Sequence, residues 1–298
     1  MLPYKKVKDI LRQRKLAPKK RYGQNFLVNK NISANIVKLA NISPQDTVIE
    51  IGVGLGALTL PLAEQCKQVI GLEIDAGIIR FHNEEDSLPD NVALRHLDIL
   101  KADFRELSAQ TGGPIKIIAN LPYSISNPLL FKLIDHQDVM DWAVLMLQKE
   151  VAQRLTADIG SKDYGILTVR MASCASVDKL LELGPQHFHP RPKVDSQVVK
   201  ITFQPQPDRV RALPDYDPQL LETIVRAAFQ QRRKILINAL AAANLTGMDK
   251  KTIGEALEKT GLPGQIRGER LSVEEFIELT NNLKDAGIQI STNSFSGE

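Results

Sequence analysis

Between residues 46 and 203, short apolar runs alternate with stretches whose apolar positions recur at helical spacing. "TVIEI" (47–51), "QVIGLE" (68–73), "VALRHL" (92–97), "IKIIA" (115–119) and "WAVLMLQ" (142–148) carry many β-branched side chains, and most end at a turn or polar residue. Runs of this length and continuity read as strands buried on both faces. "ALTLPLAEQC" (57–66), the segment after Asp75 and "KEVAQRLTA" from 149 read as helices. Strand and helix in alternation predict a largely parallel, Rossmann-like sheet with crossover helices. "LTVRMASCA" reads as one more helix, and "VDKLLEL" and "SQVVKITF" as strands that finish the sheet, the last of them antiparallel.

The pattern changes after Phe203. "QPQPDRVRALPDYDP" (204–218) is Pro-rich and reads as a linker. Beyond it, Leu221, Ile224, Val225, Ala228 and Phe229 fall at helical spacing, and "KKTIGEALEKTG" and "SVEEFIELTNNLKDAG" predict two more helices. The expected organisation is a basic arm over 1–22, an α/β domain over 23–204, a linker over 205–218, a small all-α domain over 219–290 and a disordered tail over 291–298.

Composition narrows the class without choosing a function. The chain is 43% hydrophobic and 24% charged, as expected of a soluble globular protein. No apolar run approaches the ~20 residues of a membrane helix, and the basic N-terminus lacks the apolar core of a secretory signal. Cys66 and Cys174 fit no metal or redox spacing. A cytoplasmic protein with no membrane association is expected. Charge is unevenly spread: residues 1–22 hold nine Lys and Arg against Asp9 alone, so the rest is net acidic although the whole carries +3. Such an arm is either a solvated tail or a grip on a polyanion. Charge alone does not separate the two.

Candidate chemistry gathers at the strand ends. The first strand runs into Gly52, Gly54 and Gly56, which let backbone pass close to a ligand. Glu73 ends the second strand, about 20 residues on, where an acid accepts from both hydroxyls of an adenosine ribose. Asp98 ends the third, placed to accept from an adenine amino group. The spacing is G-x-G-x-G, without the third glycine of the dinucleotide fingerprint. Glu50 beside the turn would repel a pyrophosphate and suits the cationic methionine end of S-adenosyl-L-methionine. The methyl donor is favoured over NAD.

With Asn120, Leu121, Pro122 and Tyr123 closing the fourth strand, the chain resembles the rRNA adenine N6-dimethyltransferase family, nearest to its small-subunit members. The resemblance runs from residue 19 through the helical tail. It rests on "GQNFL" (23–27), "EIGVGLGALT" (50–59), "LEID" (72–75), "NLPYSIS" (120–126), "FHPRPKVDS" (188–196) and "FQQRRKILINAL" (229–240). It implies a class I methyltransferase sheet in which Asn25 and Leu27 cover the methionine end of S-adenosyl-L-methionine. Gly52 and Gly54 would line that end, Glu73 hold the ribose and Asp98 the adenine, and Asn120 lie between donor and target. The implied substrate is a pair of adjacent adenines in a hairpin near the 3′ end of small-subunit (16S) rRNA, each methylated twice. The small ribosomal subunit is the expected partner, and the protein is expected to act as a monomer.

The residues suggest how. The Asn120 side-chain oxygen and the Leu121 carbonyl are paired acceptors for the target amino group. Pro122 holds that carbonyl in place, Tyr123 is expected to stack on one face of the base and Phe188 on the other. Neither a metal nor a strong base is required, and none of the five histidines is assigned a catalytic part. Lys19, Lys20 and Arg21 of the arm, with Arg226, Arg232, Arg233 and Lys234 on one later helix, are the expected phosphate contacts. The alternatives are a large-subunit rRNA adenine methyltransferase and a ribosome-assembly checkpoint in which methylation is secondary.

Overall fold

The computed structural model describes residues 7, 9–11, 23–243 and 247–289. Most of the basic arm, including Lys19, Lys20 and Arg21, and the tail 291–298 lie outside the described residues. Packing divides the chain into two units, Met1–Ala152 with Ser176–Pro205 and Gln153–Ala175 with Gln206–Glu298.

In the first unit a short strand β1 (Phe26–Leu27) precedes helix α1 (Lys30–Ala40) and the main sheet. That sheet contains β2 (Thr47–Ile51), β3 (Gln68–Glu73), β4 (Val92–His96), β5 (Ile115–Asn120), β6 (Met140–Gln148), β7 (Ser176–Leu183) and β9 (Ser196–Thr202). Their order is β4-β3-β2-β5-β6-β9-β7. β2 to β6 are parallel, and β9 runs antiparallel to both β6 and β7. The expected mostly parallel sheet with an antiparallel last strand is what forms. β8 (Phe188–His189) leaves the sheet and pairs with β1, Leu27 opposite Phe188.

Burial on both faces explains the unbroken apolar runs. Val48 of β2 joins Ile36, Val37 and Ala40 of α1 and Leu62 of α2 (Thr59–Ala63) in one cluster. Ile49 and Ile51, which alternate to the opposite face, are buried as well. Each such side chain contributes about 1.5–3 kcal/mol relative to exposure. Crossovers through α2 and α3 (Ala76–Glu85) carry the chain from β2 out to β4. α4 (Phe104–Thr111) then returns it to place β5 on the other flank of β2. The loops after β2 and β5 therefore diverge, opening a crevice at the carboxyl ends of these two strands.

One glycine within a strand ties the sheet to this crevice. A Cβ at Gly71 of β3 would lie 2.6 Å from Val53 Cγ2, and Val53 is buried in the glycine-rich turn after β2. G71A is expected to destabilise the protein by about 1–3 kcal/mol through overpacking. Urea unfolding would show this as a lower midpoint with an unchanged slope.

After α5 (Ser126–Asp135) and β6, helix α6 (Lys149–Leu155) carries the chain across the first boundary. The second unit is helical: α7 (Ile166–Ala172), α8 (Asp208–Arg211), α9 (Pro218–Gln230), α10 (Leu236–Ala241), α11 (Lys250–Lys259) and α12 (Val273–Asp285). Its core joins Tyr164 and Val169 to Leu221, Ile224, Leu240, Ile253 and Phe276. Two boundaries differ from the sequence expectation. Residues 153–175, expected in the α/β domain, pack here: the Tyr164 hydroxyl donates to the Leu271 carbonyl at 2.6 Å and Arg170 pairs with Glu222. The Pro-rich segment is no free linker, since Val210 is buried and the Tyr216 hydroxyl donates to the Ser173 carbonyl at 3.0 Å.

The expected continuous basic helix is also interrupted. α9 ends at Gln230, and Arg232, Arg233 and Lys234 lie in the turn before α10, not on the helix of Arg226. Arg232 donates to the Ser161 carbonyl at 2.6 Å, the Lys162 carbonyl at 2.7 Å and Glu269 Oε2 at 2.8 Å.

Candidate active site

The crevice is a cleft of about 270 Å³. Gly52 leaves β2 with φ 78°, and Gly54 and Gly56 follow with φ 53° and 81°, a left-handed run that side chains disfavour. A Cβ on Gly52 would stand 4.0 Å from the Asn120 carbonyl across the crevice. The turn is therefore a bare-backbone wall facing the end of β5. Asn25, Leu27, Gly52, Gly54, Glu73, Asp98 and Asn120 all line this one cleft. The sequence-selected residues, scattered over nearly a hundred positions, thus come together.

Each is held in a specific way. Glu73, buried at the end of β3, accepts from Gly54 N at 3.1 Å through Oε2 and from Asp75 N at 2.8 Å through Oε1. Burial raises its carboxyl above the usual range, opposed by those two backbone donors. Each oxygen keeps a further lone pair for a hydroxyl. Asp98 accepts from Leu100 N at 3.0 Å. The Lys132 ammonium pins the following segment by donating to the Leu100 and Ala102 carbonyls at 2.8 and 2.7 Å. The sequence offered no signal for Lys132, whose partners lie about 30 residues away.

Glu50 is 1% exposed and lines the cleft, and its Oε2 has no hydrogen-bond partner among the described residues. Burial pushes its carboxyl up to about 8, with Thr59 opposing and Glu73 adding repulsion. The folded protein therefore keeps a proton that the unfolded chain loses above 4.5. The preference for the protonated form is satisfied below 4.5 and stability falls as pH rises from there to about 8. Urea midpoints of the ligand-free protein are expected to decline over this window, and E50Q, which does not titrate, is expected to flatten the decline.

At the end of β5 the Asn120 amide is oriented: Nδ2 donates to the Asn25 carbonyl at 2.9 Å. Oδ1 is left as an acceptor. The Leu121 side chain is buried, and its carbonyl accepts no backbone hydrogen bond among the described residues. Pro122, at φ −57° and ψ 132°, sets the chain direction after it. Tyr123 is half-buried, with its hydroxyl 3.0 Å from Ser196 Oγ; its neighbours Pro122 and Ser124 line the cleft, and Tyr123 is not among the lining residues. Phe188 departs from expectation. At 1% exposure it packs with Leu27, Ile36 and Val37, and pairing of β8 with β1 turns it into the core. It is a packing residue behind the cleft, not a plate for a base.

A family profile described as ribosomal RNA adenine dimethylase matches residues 16–285. The chain belongs to this family. The dimethylase is similar to the ribosomal RNA small subunit methyltransferase A of Desulfotalea psychrophila, 48% identical over 287 residues covering 94% of this chain and 96% of that one. It is 41% identical to the protein of the same name from Magnetococcus marinus, over 94% and 97% of the two chains. Among solved structures, a dimethyladenosine transferase from Plasmodium falciparum matches with a TM-score of 0.71 at 28% identity, covering 88% and 98%. The 23S rRNA methyltransferase ErmE shares the fold, with a TM-score of 0.65 at 23% identity over 87% of this chain and 100% of that one.

The cations expected to meet RNA differ in the dimethylase. Arg226 is engaged by Glu222, Nε to Oε1 at 2.7 Å, and Arg232 is spent on its three internal bonds. Arg233 and Lys234 are exposed. No helix among the described residues is long and apolar enough to cross a membrane.

Proposed function

We propose that this dimethylase transfers methyl groups from S-adenosyl-L-methionine to the N6 amino groups of two adjacent adenines in a hairpin near the 3′ end of 16S rRNA, giving N6,N6-dimethyladenosines. The observation that carries the chemistry is the hydrogen bonding of Asn120, a cleft-lining residue whose amide nitrogen is taken by the Asn25 carbonyl, leaving Oδ1 as its acceptor. Resemblance to proteins named small subunit methyltransferase A supports the choice of substrate.

The cleft fits the methyl donor. Its glycine turn is open at Gly52, and Glu73 retains acceptor capacity for a ribose. Glu50 Oε2, without a partner among the described residues, suits an ammonium group whose charge would favour loss of the Glu50 proton. When bound, S-adenosyl-L-methionine supplies a sulfonium-activated methyl group. Asn25 and Leu27 would cover its methionine end, Glu73 its ribose and Asp98 its adenine.

Adenine's exocyclic nitrogen is a weak nucleophile because its lone pair is delocalised into the ring. Asn120 Oδ1 and the Leu121 carbonyl accept hydrogen bonds from its two N–H groups, localise the lone pair and stabilise the positive charge that develops on the nitrogen. Asn120 is neutral, so it orients and polarises, and the proton leaves to solvent. After the first methylation one N–H remains and one acceptor is released. Tyr123, tethered through its hydroxyl, stacks on the base. The target must be single-stranded or flipped out, since pairing would occupy the amino group. Arg233 and Lys234, with the basic arm, contact phosphates.

Incubation with labelled S-adenosyl-L-methionine and a mixture of large subunits and small subunits, both lacking the modification, tests the assignment. Label is expected in two adjacent adenines of the 16S rRNA. Label confined to large-subunit rRNA, or none, would reject it.

A further inference from the structure

The His82 imidazole is 4% exposed, deep on α3, and the methyl-transfer chemistry does not use it. Its Nε2 lies 2.7 Å from the Gly54 carbonyl and its Nδ1 lies 2.7 Å from Ser87 Oγ. A carbonyl can only accept, so Nε2 carries the hydrogen. Nδ1 of the neutral ring then accepts from the Ser87 hydroxyl. Burial lowers the basicity of the ring, in keeping with this neutral form. The ring also underlies the turn further on: a Cβ at Gly56 would stand 3.9 Å from His82 Cε1.

Gly54 is thereby fixed at both ends. Its N–H donates to Glu73 Oε2 at 3.1 Å, and its carbonyl accepts from His82. With three glycines at positive φ, the turn between β2 and α2 has little intrinsic preference for one shape. Ordering a free residue costs about 1–2 kcal/mol. Side-chain bonds made before the ligand arrives remove part of that cost from binding. A leucine could fill the same core space one turn after Ile78, but it could not hold the carbonyl.

We infer that His82 is a positioning residue for the cofactor cleft: by holding the Gly54 carbonyl from beneath, it presets the glycine-rich turn for the adenosine-containing methyl donor. The inference rests on the reading of the cleft as an S-adenosyl-L-methionine site. It acts through Gly54, without touching ligand.

The test uses the full chain, with S-adenosylhomocysteine as the probe in titration calorimetry and thermal unfolding in parallel. H82L is expected to bind about three- to tenfold more weakly, the range of one net hydrogen bond. H82Q, whose Nε2 can reach the same carbonyl, is expected to restore wild-type affinity even where its melting temperature matches that of H82L. Wild-type affinity in H82L, or H82Q as weak as H82L, would overturn the inference and leave His82 a packing residue. Should H82L fail to fold, the imidazole ¹⁵N signals of the wild-type protein decide. An Nε2–H tautomer whose proton exchanges more slowly on adding S-adenosylhomocysteine supports the inference; the Nδ1–H tautomer, or no response, overturns it. Wild-type protein that does not bind S-adenosylhomocysteine at all would overturn the cofactor reading itself, and this inference with it.

Discussion

Asn120→Ala is expected to lower kcat for methyl transfer by about two to three orders of magnitude, the usual cost of removing one preorganised group from a polar transition state. Affinity for S-adenosylhomocysteine should change far less, because the substitution removes contacts to the target amino group, while Glu73 and the glycine turn remain. N120D is the sharper variant. It keeps an oxygen at the site but replaces the Nδ2 donor with a second oxygen facing the Asn25 carbonyl. Repulsion there should rotate or displace the side chain, so N120D is expected to be impaired even though a carboxylate is the stronger acceptor. Single-turnover methylation of unmodified small subunits would measure both. An N120A protein with near wild-type kcat would remove Asn120 from the mechanism.

Glu73→Ala carries the second large effect. The carboxylate makes two bonds to its own backbone, to Gly54 N and Asp75 N, and is assigned the ribose hydroxyls as well. Hydrogen bonds to a charged group are worth about 1.5–3 kcal/mol, so losing the ribose contact should weaken S-adenosylhomocysteine by about ten- to a hundredfold. E73Q should fall between, because an amide keeps one acceptor but turns an N–H towards one of the two backbone donors. Calorimetry on E73A and E73Q, with melting temperatures alongside, separates the roles. A fall in stability with unchanged affinity would reject the ribose contact and leave Glu73 as a brace for the turn.

The local part of this site was legible because its signals are local. A glycine at positive φ, a proline after a strand, or an acid at a strand end has physical meaning within a few residues of chain. Gly52, Glu73, Asp98 and Asn120 could therefore be picked from the strand pattern, and all four line one cleft. Phe188 shows the limit. Which way an aromatic faces depends on the partner of its strand, and β8 pairs with a two-residue strand about 160 positions earlier. Arg232 shows it for charge: a run of cations reads as a free patch until carbonyls and a carboxylate from distant segments are seen to occupy one of them.

The alternation of buried strands and helices, the glycine turn and the identity of the polar groups at the strand ends are all legible along the chain. These follow from side-chain periodicity and backbone sterics, which act over one or two turns of chain. Which groups remain available depends on the folded chain. Folding engaged Asn120 Nδ2 with the Asn25 carbonyl, left Glu50 Oε2 without a partner among the described residues, placed His82 against the Gly54 carbonyl and moved residues 153–175 into the helical unit. Hydrogen-bond partners and burial are properties of approach between segments far apart in the chain. The pattern of any one segment cannot contain them.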